Sequence, residues 1–305
     1  MIIRPTTPAP CPIETDRSLA ALTTWRIGGP ADFYAEPETP EQLAACYEFA
    51  AERDIPVLGL GGASNMLVHD DGFRGLVVRY MDREETRTIT GTQLELRIGA
   101  RTLLARLARQ IARDGWSGLE WAEGIPGTLG GAIVGNAGAF GGEMASVVTE
   151  VEVFDPPRCE VHTYANDECQ FAYRSSRFKT GGAAAGYVLG ATLRLRKEAA
   201  ESILARMDAI RVRRKSNSPT GLSCGSVFKN PPGDFAGRIV ETLGLKGTSI
   251  GGAEISSVHG NYIVNRERAT AKDVCALIDL VRSRARDELG LELELEVRLV
   301  GFGDA

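Results

Sequence analysis

The stretch GIPGTLGGAIVGNAGAFGG, Gly124 to Gly142, puts eight glycines into nineteen residues. Glycine loses more conformational freedom on ordering than any other residue and packs almost no surface, so such a tract needs a compensating close approach to its backbone. A bound ligand would supply one; otherwise the tract is a floppy linker. A second glycine tract, GLGGASNMLV (Gly59 to Val68), follows the apolar run Ile55 to Leu60, which reads as a short strand. Glycine turns expose backbone N–H groups that form anion-binding nests, and Ser64, Asn65, Thr128 and Asn136 can add side-chain hydrogen bonds to phosphate oxygens. Two such tracts together point to a diphosphate. Neither contains the GK[ST] of a P-loop, and neither opens a helix as GxGxxG with an acidic residue about twenty positions on.

The surrounding chain alternates helical and strand patterns. In TPEQLAACYEFAAERDIPVLGLGGASN, Thr39 suits a helix N-cap, Pro40 the first turn, and Gln42 the capping-box position. TQLELRIGA alternates Leu94, Leu96 and Ile98 against Glu95 and Arg97, a half-buried strand, and Leu103, Leu104, Leu107 and Ile111 then recur at helical spacing up to Gly115. Charge density rises from about Leu193, and a domain boundary is expected near residue 196. Beyond it come a short helix with Phe235, Ile239, Val240 and Leu243 on one face, the strand NYIVN, and a helix from about Thr270 to Gly290 with Val274, Leu277, Ile278 and Val281 as its apolar stripe. LELELEVRLVG is expected to close the chain as a strand, with Leu291, Leu293, Leu295, Val297 and Leu299 inward and Glu292, Glu294, Glu296 and Arg298 on the other face.

With 305 residues, 43% apolar and 25% charged, the chain has room for a large core and two domains of an ordinary globular protein. A net charge of -5 without a basic block disfavours a nucleic-acid binder. The six cysteines are scattered with no CxxC pair, the opening MIIRPTTPAPCPIETD lacks the uninterrupted apolar stretch expected of a secretory signal, and no long apolar run occurs. Reduced thiols in a cytoplasmic protein are expected, with no membrane partner. His69, His162 and His259 lack metal-ligand spacing and read as ordinary surface or loop histidines, so no metal is expected.

Two further segments carry reactive side-chain types. FAYRSSRFK (Phe171 to Lys179) sets Tyr173, Arg174, Arg177 and Lys179 together, where a guanidinium fork could grip a carboxylate or phosphate. CGSVFKNPPGDFAG (Cys224 to Gly237) has Ser226 after a glycine, with Lys229 and Asn230 nearby. It is not the GxSxG elbow of a hydrolase and no histidine neighbours it, so Ser226 suits hydrogen bonding or proton transfer better than nucleophilic attack. A solvated turn is the plain alternative for either segment.

Taken in order, these stretches resemble the UDP-N-acetylenolpyruvoylglucosamine reductase family, flavoenzymes that complete UDP-N-acetylmuramate for peptidoglycan. TTWRIGGPADFY, GGASNMLV, the GIPGTLGG tract, YRSSRFK, GSVFKNP, IGGAEISSVHGNYIVN and LELEVRLVG are similar to the family's motifs in register over nearly the whole chain. The resemblance implies an α+β protein. Residues 1–196 would be a two-lobed FAD-binding domain of the vanillyl-alcohol-oxidase type, its lobes meeting near residue 80, and residues 197–305 a smaller α/β substrate-binding domain. The short connection between Tyr173 and Tyr187 resembles that of the second, loop-less subclass.

By motif position, the resemblance implies non-covalent FAD contacts from Leu60, Gly61, Gly62, Ala63, Ser64, Asn65 and Met66 in the first tract. From the second it implies Gly124, Ile125, Thr128, Gly130, Gly131, Asn136 and Ala137, with Val188 added from further along the chain. NADPH is the implied co-substrate and the enolpyruvyl ether of UDP-N-acetylglucosamine the substrate. Hydride would pass from flavin N5 to C3, with the C2 proton from Ser226. Arg174 would bind the carboxylate, Glu296 would assist from the opposite side, and Tyr173, Lys229, Asn230 and Asn261 would contact sugar and diphosphate. A monomer acting on small molecules is expected.

The sequence departs from the family pattern in places. Ala63 replaces the motif's third glycine, which a negative local φ would accommodate, and Met66 replaces a leucine. Leu295 stands in place of the usual proline, so Glu294 competes with Glu296 for the catalytic position. Gly260 replaces an alanine, and the usual proline before SCGS is missing. The other readings are an oxidase of the same flavin superfamily and a non-catalytic flavin- or nucleotide-binding module.

Overall fold

A computed structural model describes residues 11–181 and 185–303. The chain divides into two compact units, both discontinuous: one holds residues up to Glu14 with Tyr34–Gly62 and Gly75–Arg213, the other Thr15–Phe33, Ala63–Arg74 and residues from Arg214 onward.

The first unit is organised around an antiparallel sheet. Its central strand, Tyr187–Lys197, lies between Val148–Asp155 and Gln93–Gly99; Glu160–Ala165 and Glu85–Thr90 complete the two sides, and the short Trp116–Ser117 also pairs with the central strand. The alternation of Gln93–Gly99 buries Leu94, Leu96 and Ile98 against Leu104, Leu107 and Ile111 of the helix Leu104–Arg113. Each such side chain contributes roughly 1.5–3 kcal/mol by leaving water. Leu103, expected in that stripe, is 49% exposed because it precedes the first helical residue. Also in this unit, Val57–Gly59 pairs in parallel with Leu76–Val78. Helix Pro40–Ala51 begins as expected, Thr39 Oγ1 accepting from Gln42 N, but Gln42 reaches past the N-cap to accept from Glu38 N.

The second unit packs helices Ala236–Thr242 and Ala271–Leu289 with the three-stranded sheet Ser249–Ile250, Ala253–Ile255, Ile263–Asn265. The long helix opens with a reciprocal Thr270–Asp273 capping box and stops at Gly290 in the left-handed region, φ 65°. Its expected stripe, Val274, Leu277, Ile278 and Val281, is buried beside Trp25, Ile239 and Val240. Trp25 is fully buried and donates its indole N–H to Ile263 O at 2.7 Å. Phe235 departs from the expected helix face: it is the N-cap residue and 67% exposed.

The closing strand is shorter than expected. Only Arg298–Val300 pairs as a strand, parallel to the three-residue Met66–Val68, because that partner runs no further. Leu293 and Val297 are still buried, while Leu291, Leu295 and Leu299 pack at the edge of the core. All six cysteines are free thiols. No helix among the described residues is long and apolar enough to cross a membrane.

Candidate flavin and substrate sites

In the first unit the two glycine tracts meet backbone to backbone. Leu60 N donates to Val78 O at 2.8 Å, which carries the strand Val57–Gly59 into the turn. A Cβ built on Gly61 would lie 2.8 Å from Thr128 Oγ1, and one on Gly62 would lie 2.6 Å from Gly127 Cα. Gly62 admits no side chain while the tracts keep this contact, and one on Gly61 would have to displace the Thr128 hydroxyl. The second tract is anchored in turn: Leu104 N donates to Gly127 O, Leu129 N to Thr102 O, and Gly130 N to Ala100 O. Thr128 is the N-cap of the helix Leu129–Val134, yet its hydroxyl makes no capping bond and is buried without a partner. A buried hydroxyl left unpaired where two glycine tracts meet suits a phosphate oxygen, so the residues present fit FAD.

Asn136 spends its side chain on partners within the protein. It is 1% exposed with φ 41°; its Nδ2 donates to Glu143 Oε2 and Ala172 O, and its Oδ1 accepts from Ala145 N. The side chain thereby ties the second tract to the turn that presents Arg174. Gly124 takes φ 73°, Ile125 and Ala137 pack at the edge of the core, and Val188 is buried on the central strand. Glu123, 3% exposed just before the tract, is held by Arg109 Nε at 2.9 Å.

Tyr173 and Arg174 form the tip of a tight turn closed by reciprocal hydrogen bonds between Ala172 and Ser175. Arg174 adopts φ 55°, donates from Nη2 to Gly138 O at 2.9 Å, and lies 5.2 Å from the centre of the exposed Tyr173 ring. Lys179 donates to Arg174 O, and Ser176, buried, donates to Val134 O. Arg177, the other candidate grip, instead stacks on Tyr164 at 4.1 Å and donates to Glu168 O.

The second unit holds the rest of the first tract. Ala63 does not meet the condition its methyl group required: its φ is +47°, the left-handed region, where a non-glycine residue carries roughly 1–2 kcal/mol of strain. Asn65 Nδ2 donates to Glu296 O at 3.0 Å and Asn65 O accepts from Arg298 N, so this tract fixes the backbone that carries Glu296. Met66 pairs with Arg298 in the parallel strands.

The segment that follows Ser226 pairs through its backbone with the one that carries Glu296. Val227 O accepts from Glu296 N at 2.8 Å, Glu294 O accepts from Lys229 N, and Phe228 bridges Leu295. The two competing carboxylates differ in surroundings. Glu294 has a side chain 72% exposed and salt-bridged to Lys229 Nζ at 2.6 Å. Glu296 is half-buried, and its charge reaches the Cys224 thiol, whose pKa is pushed up first by burial and then by that charge.

Ser226 opens onto a cleft of about 290 Å³, close to the lower end for small-molecule sites, shared with Asn230, Arg238, Lys246, His259 and Asn261. Asn261 is 3% exposed and spends both ends of its amide on Phe228, accepting from its N and donating to its O, each at 2.8 Å. It therefore positions the Ser226 segment. Asn230 Oδ1 accepts from Ala236 N. Sequence reasoning missed Arg238, Lys246 and His259 as cleft residues. His259 does sit in a loop, but burial lowers its pKa, its Nδ1 accepts from Asn261 N, and its ring packs edge-on to Tyr262 at 4.9 Å.

Both parts of the chain resemble known proteins. Residues 31–164 match the FAD binding domain family, and residues 217–300 match the family described as UDP-N-acetylenolpyruvoylglucosamine reductase, C-terminal domain. The chain is 43% identical over 293 residues to the reductase of that name from Chloroflexus aggregans, covering 95% of this chain and 98% of the relative. It is 44% identical over 299 residues to the one from Chloroflexus aurantiacus, with the same coverage. The crystal structure of the Thermus caldophilus reductase aligns with a TM-score of 0.79 at 38% identity, covering 95% of this chain and 98% of that one. The α+β fold with an FAD-binding part and a reductase-type C-terminal domain, and the identity over almost the full length of these relatives, make this chain a member of the UDP-N-acetylenolpyruvoylglucosamine reductase family of flavin-dependent oxidoreductases.

Proposed function

We propose that the protein reduces the enolpyruvyl ether of UDP-N-acetylglucosamine to UDP-N-acetylmuramate with NADPH, through non-covalently bound FAD, in peptidoglycan precursor synthesis. The carrying observation is the backbone pairing of the Glu296 segment with the segment of Ser226, a residue that lines a polar cleft. The chemistry supplied by bound FAD is a hydride relay from NADPH to C3 of the enolpyruvyl double bond through N5. The glycine tracts and Thr128 hold the diphosphate, and the residues up to about 196 carry most of the flavin contacts, those after it the sugar nucleotide. Ser226 delivers the proton to C2; a hydroxyl held at its acceptor can do so despite a high solution pKa. Arg174, fixed by Gly138 O and the Tyr173 ring, binds the carboxylate and stabilises negative charge developing there. Glu296 assists proton delivery from the other side. Tyr173, Lys229 and Asn230 contact sugar and diphosphate, while Asn261 acts on them through the backbone of Phe228. The short Tyr173–Tyr187 connection, of which residues 182–184 lie outside the described residues, favours the loop-less subclass.

Ser226→Ala tests the assignment. Flavin content and anaerobic flavin reduction by NADPH are expected to survive while reoxidation by the enolpyruvyl substrate collapses by about 10²–10⁴-fold, the usual worth of a positioned acid. Normal turnover of that substrate by Ser226→Ala removes the serine from the mechanism.

A further inference from the structure

Arg101 follows the strand Gln93–Gly99, where a charged residue would ordinarily turn to solvent. Instead it is 9% exposed, and it and Glu123 are the charged residues buried among the described residues. Glu123 has its countercharge in Arg109. Arg101 has none of that quality: its Nε is buried without a hydrogen bond, and Arg79 and Arg83 lie close enough to repel it. The carboxylate on that side, Glu36, is already engaged by Tyr34 Oη at 2.5 Å and Arg79 Nη1 at 3.4 Å. Burial first, then the charges of Arg79 and Arg83, hold the Arg101 pKa below the ordinary arginine value. A guanidinium in such a place is a strong liability unless an anion joins it.

The position identifies the anion. The residues flanking Arg101 hold the second glycine tract: Ala100 O accepts from Gly130 N at 3.0 Å, Thr102 O from Leu129 N at 2.9 Å, and Leu103 bridges Thr128. Tyr187, whose hydroxyl feels the charges of both Arg101 and Arg79, donates to Leu60 O in the first tract at 3.3 Å. Arg79 Nε, Thr102 Oγ1 and Thr128 Oγ1 are also buried without partners. Four unpaired polar atoms thus lie on segments that converge where the tracts meet.

We propose that Arg101, seconded by Arg79, supplies the positive charge that binds the diphosphate of FAD, so that phosphate recognition in this protein rests on a guanidinium pair as well as on glycine N–H groups. Planar forks suit this role, and two arginines match a doubly negative diphosphate. The inference rests on the flavin reading of the tracts and not on the reductase chemistry, and its test uses no enolpyruvyl substrate.

Flavin-stripped wild type, Arg101→Met and Arg101→Lys would be titrated with FAD and with riboflavin, which has no phosphate, and followed by flavin fluorescence. Arg101→Met is expected to weaken FAD binding about tenfold or more, the worth of one charge-assisted hydrogen bond, and to leave riboflavin binding unchanged. Arg101→Lys should recover most of the loss. Without flavin, Arg101→Met should melt at or above wild type, because a buried unpaired charge has been removed. The proposal is overturned by an Arg101→Met protein whose FAD affinity stays within about twofold of wild type. An equal loss for riboflavin, or a flavin-free Arg101→Met protein that melts lower, also overturns it, because either marks a structural residue. A rise in the NADPH KM with FAD binding intact overturns it too, giving the phosphate to the other nucleotide. A wild-type protein that binds no FAD would defeat the flavin reading itself.

Discussion

Gly62→Ala probes the contact on which the flavin cradle depends. The added Cβ would lie 2.6 Å from Gly127 Cα and 3.1 Å from both Gly127 C and Thr128 N, all backbone atoms. Carbon atoms prefer about 3.5–4.0 Å, so the tracts must part by roughly 1 Å. They are poorly placed to do so, since Gly127 O is bonded to Leu104 N and Leu129 N to Thr102 O. Overpacking of this kind costs about 1–3 kcal/mol. That cost can fall in two places. A flavin-free protein that keeps the contact melts lower, by about 2–4 °C per kcal/mol for a domain of this size. A protein that relieves the strain by parting the tracts must close them again around FAD, and its affinity falls by up to about tenfold per 1.4 kcal/mol. Melting of the stripped protein and FAD titration together should therefore account for about 1–3 kcal/mol. Gly135→Ala is the control. It lies in the same tract with φ -90°, and its Cβ would meet only Gly131 O at 3.6 Å. Unchanged affinity and melting are expected there. Gly62→Ala indistinguishable from wild type in both assays would refute the backbone-to-backbone cradle.

The remaining predictions concern the carboxylates and one buried amide. Glu296→Gln should slow substrate reduction by about 10²–10⁴-fold in stopped-flow, and Glu294→Gln by less than about tenfold, given the exposure of Glu294 and its pairing with Lys229; the reverse order would exchange their roles. Asn261→Ala leaves Phe228 N and O without partners in a buried position, about 1–3 kcal/mol for each, so denaturant unfolding should register a loss of about 2–6 kcal/mol. Glu120 is raised by burial but lowered in net by Arg206, Ser117 and the Gly118 N–H. A carboxylate with a depressed folded pKa stabilises above its unfolded value and loses that contribution as pH falls through the folded one. Glu120→Gln should therefore be destabilised at neutral pH, with the gap to wild type closing as pH drops below the ordinary glutamate range. A gap constant with pH would contradict the ion pair's role.

Local signals were the most readable in the sequence. Thr39 and Thr270 announce helix starts through bonds to residues three positions on, and the stripe Val274 to Val281 needs only helical spacing. The same periodicity overreached by one residue at Leu103 and Phe235, apolar side chains that occupy N-cap positions and point to solvent. Alternation in LELELEVRLVG gave the inward residues but not the strand length, which is set by the three-residue partner Met66–Val68. The glycine tracts could be paired by chemistry, but the contact of Gly61 with Thr128 joins residues far apart in sequence and has no local sign. For the same reason the cleft residues Lys246 and His259, each on its own turn, looked ordinary. Asn136 and Asn261 were legible as important polar residues, but not that Asn261 spends its amide on the Phe228 backbone and Asn136 its own on Glu143 and two backbone groups.

The most direct test of the central claim is an anaerobic double-mixing experiment on the purified protein reconstituted with FAD. NADPH should bleach the flavin's visible band, and the enolpyruvyl ether of UDP-N-acetylglucosamine should then restore it, with UDP-N-acetylmuramate as product and with oxygen reoxidising the flavin far more slowly. A flavin that NADPH reduces but that only oxygen reoxidises would contradict the reductase account.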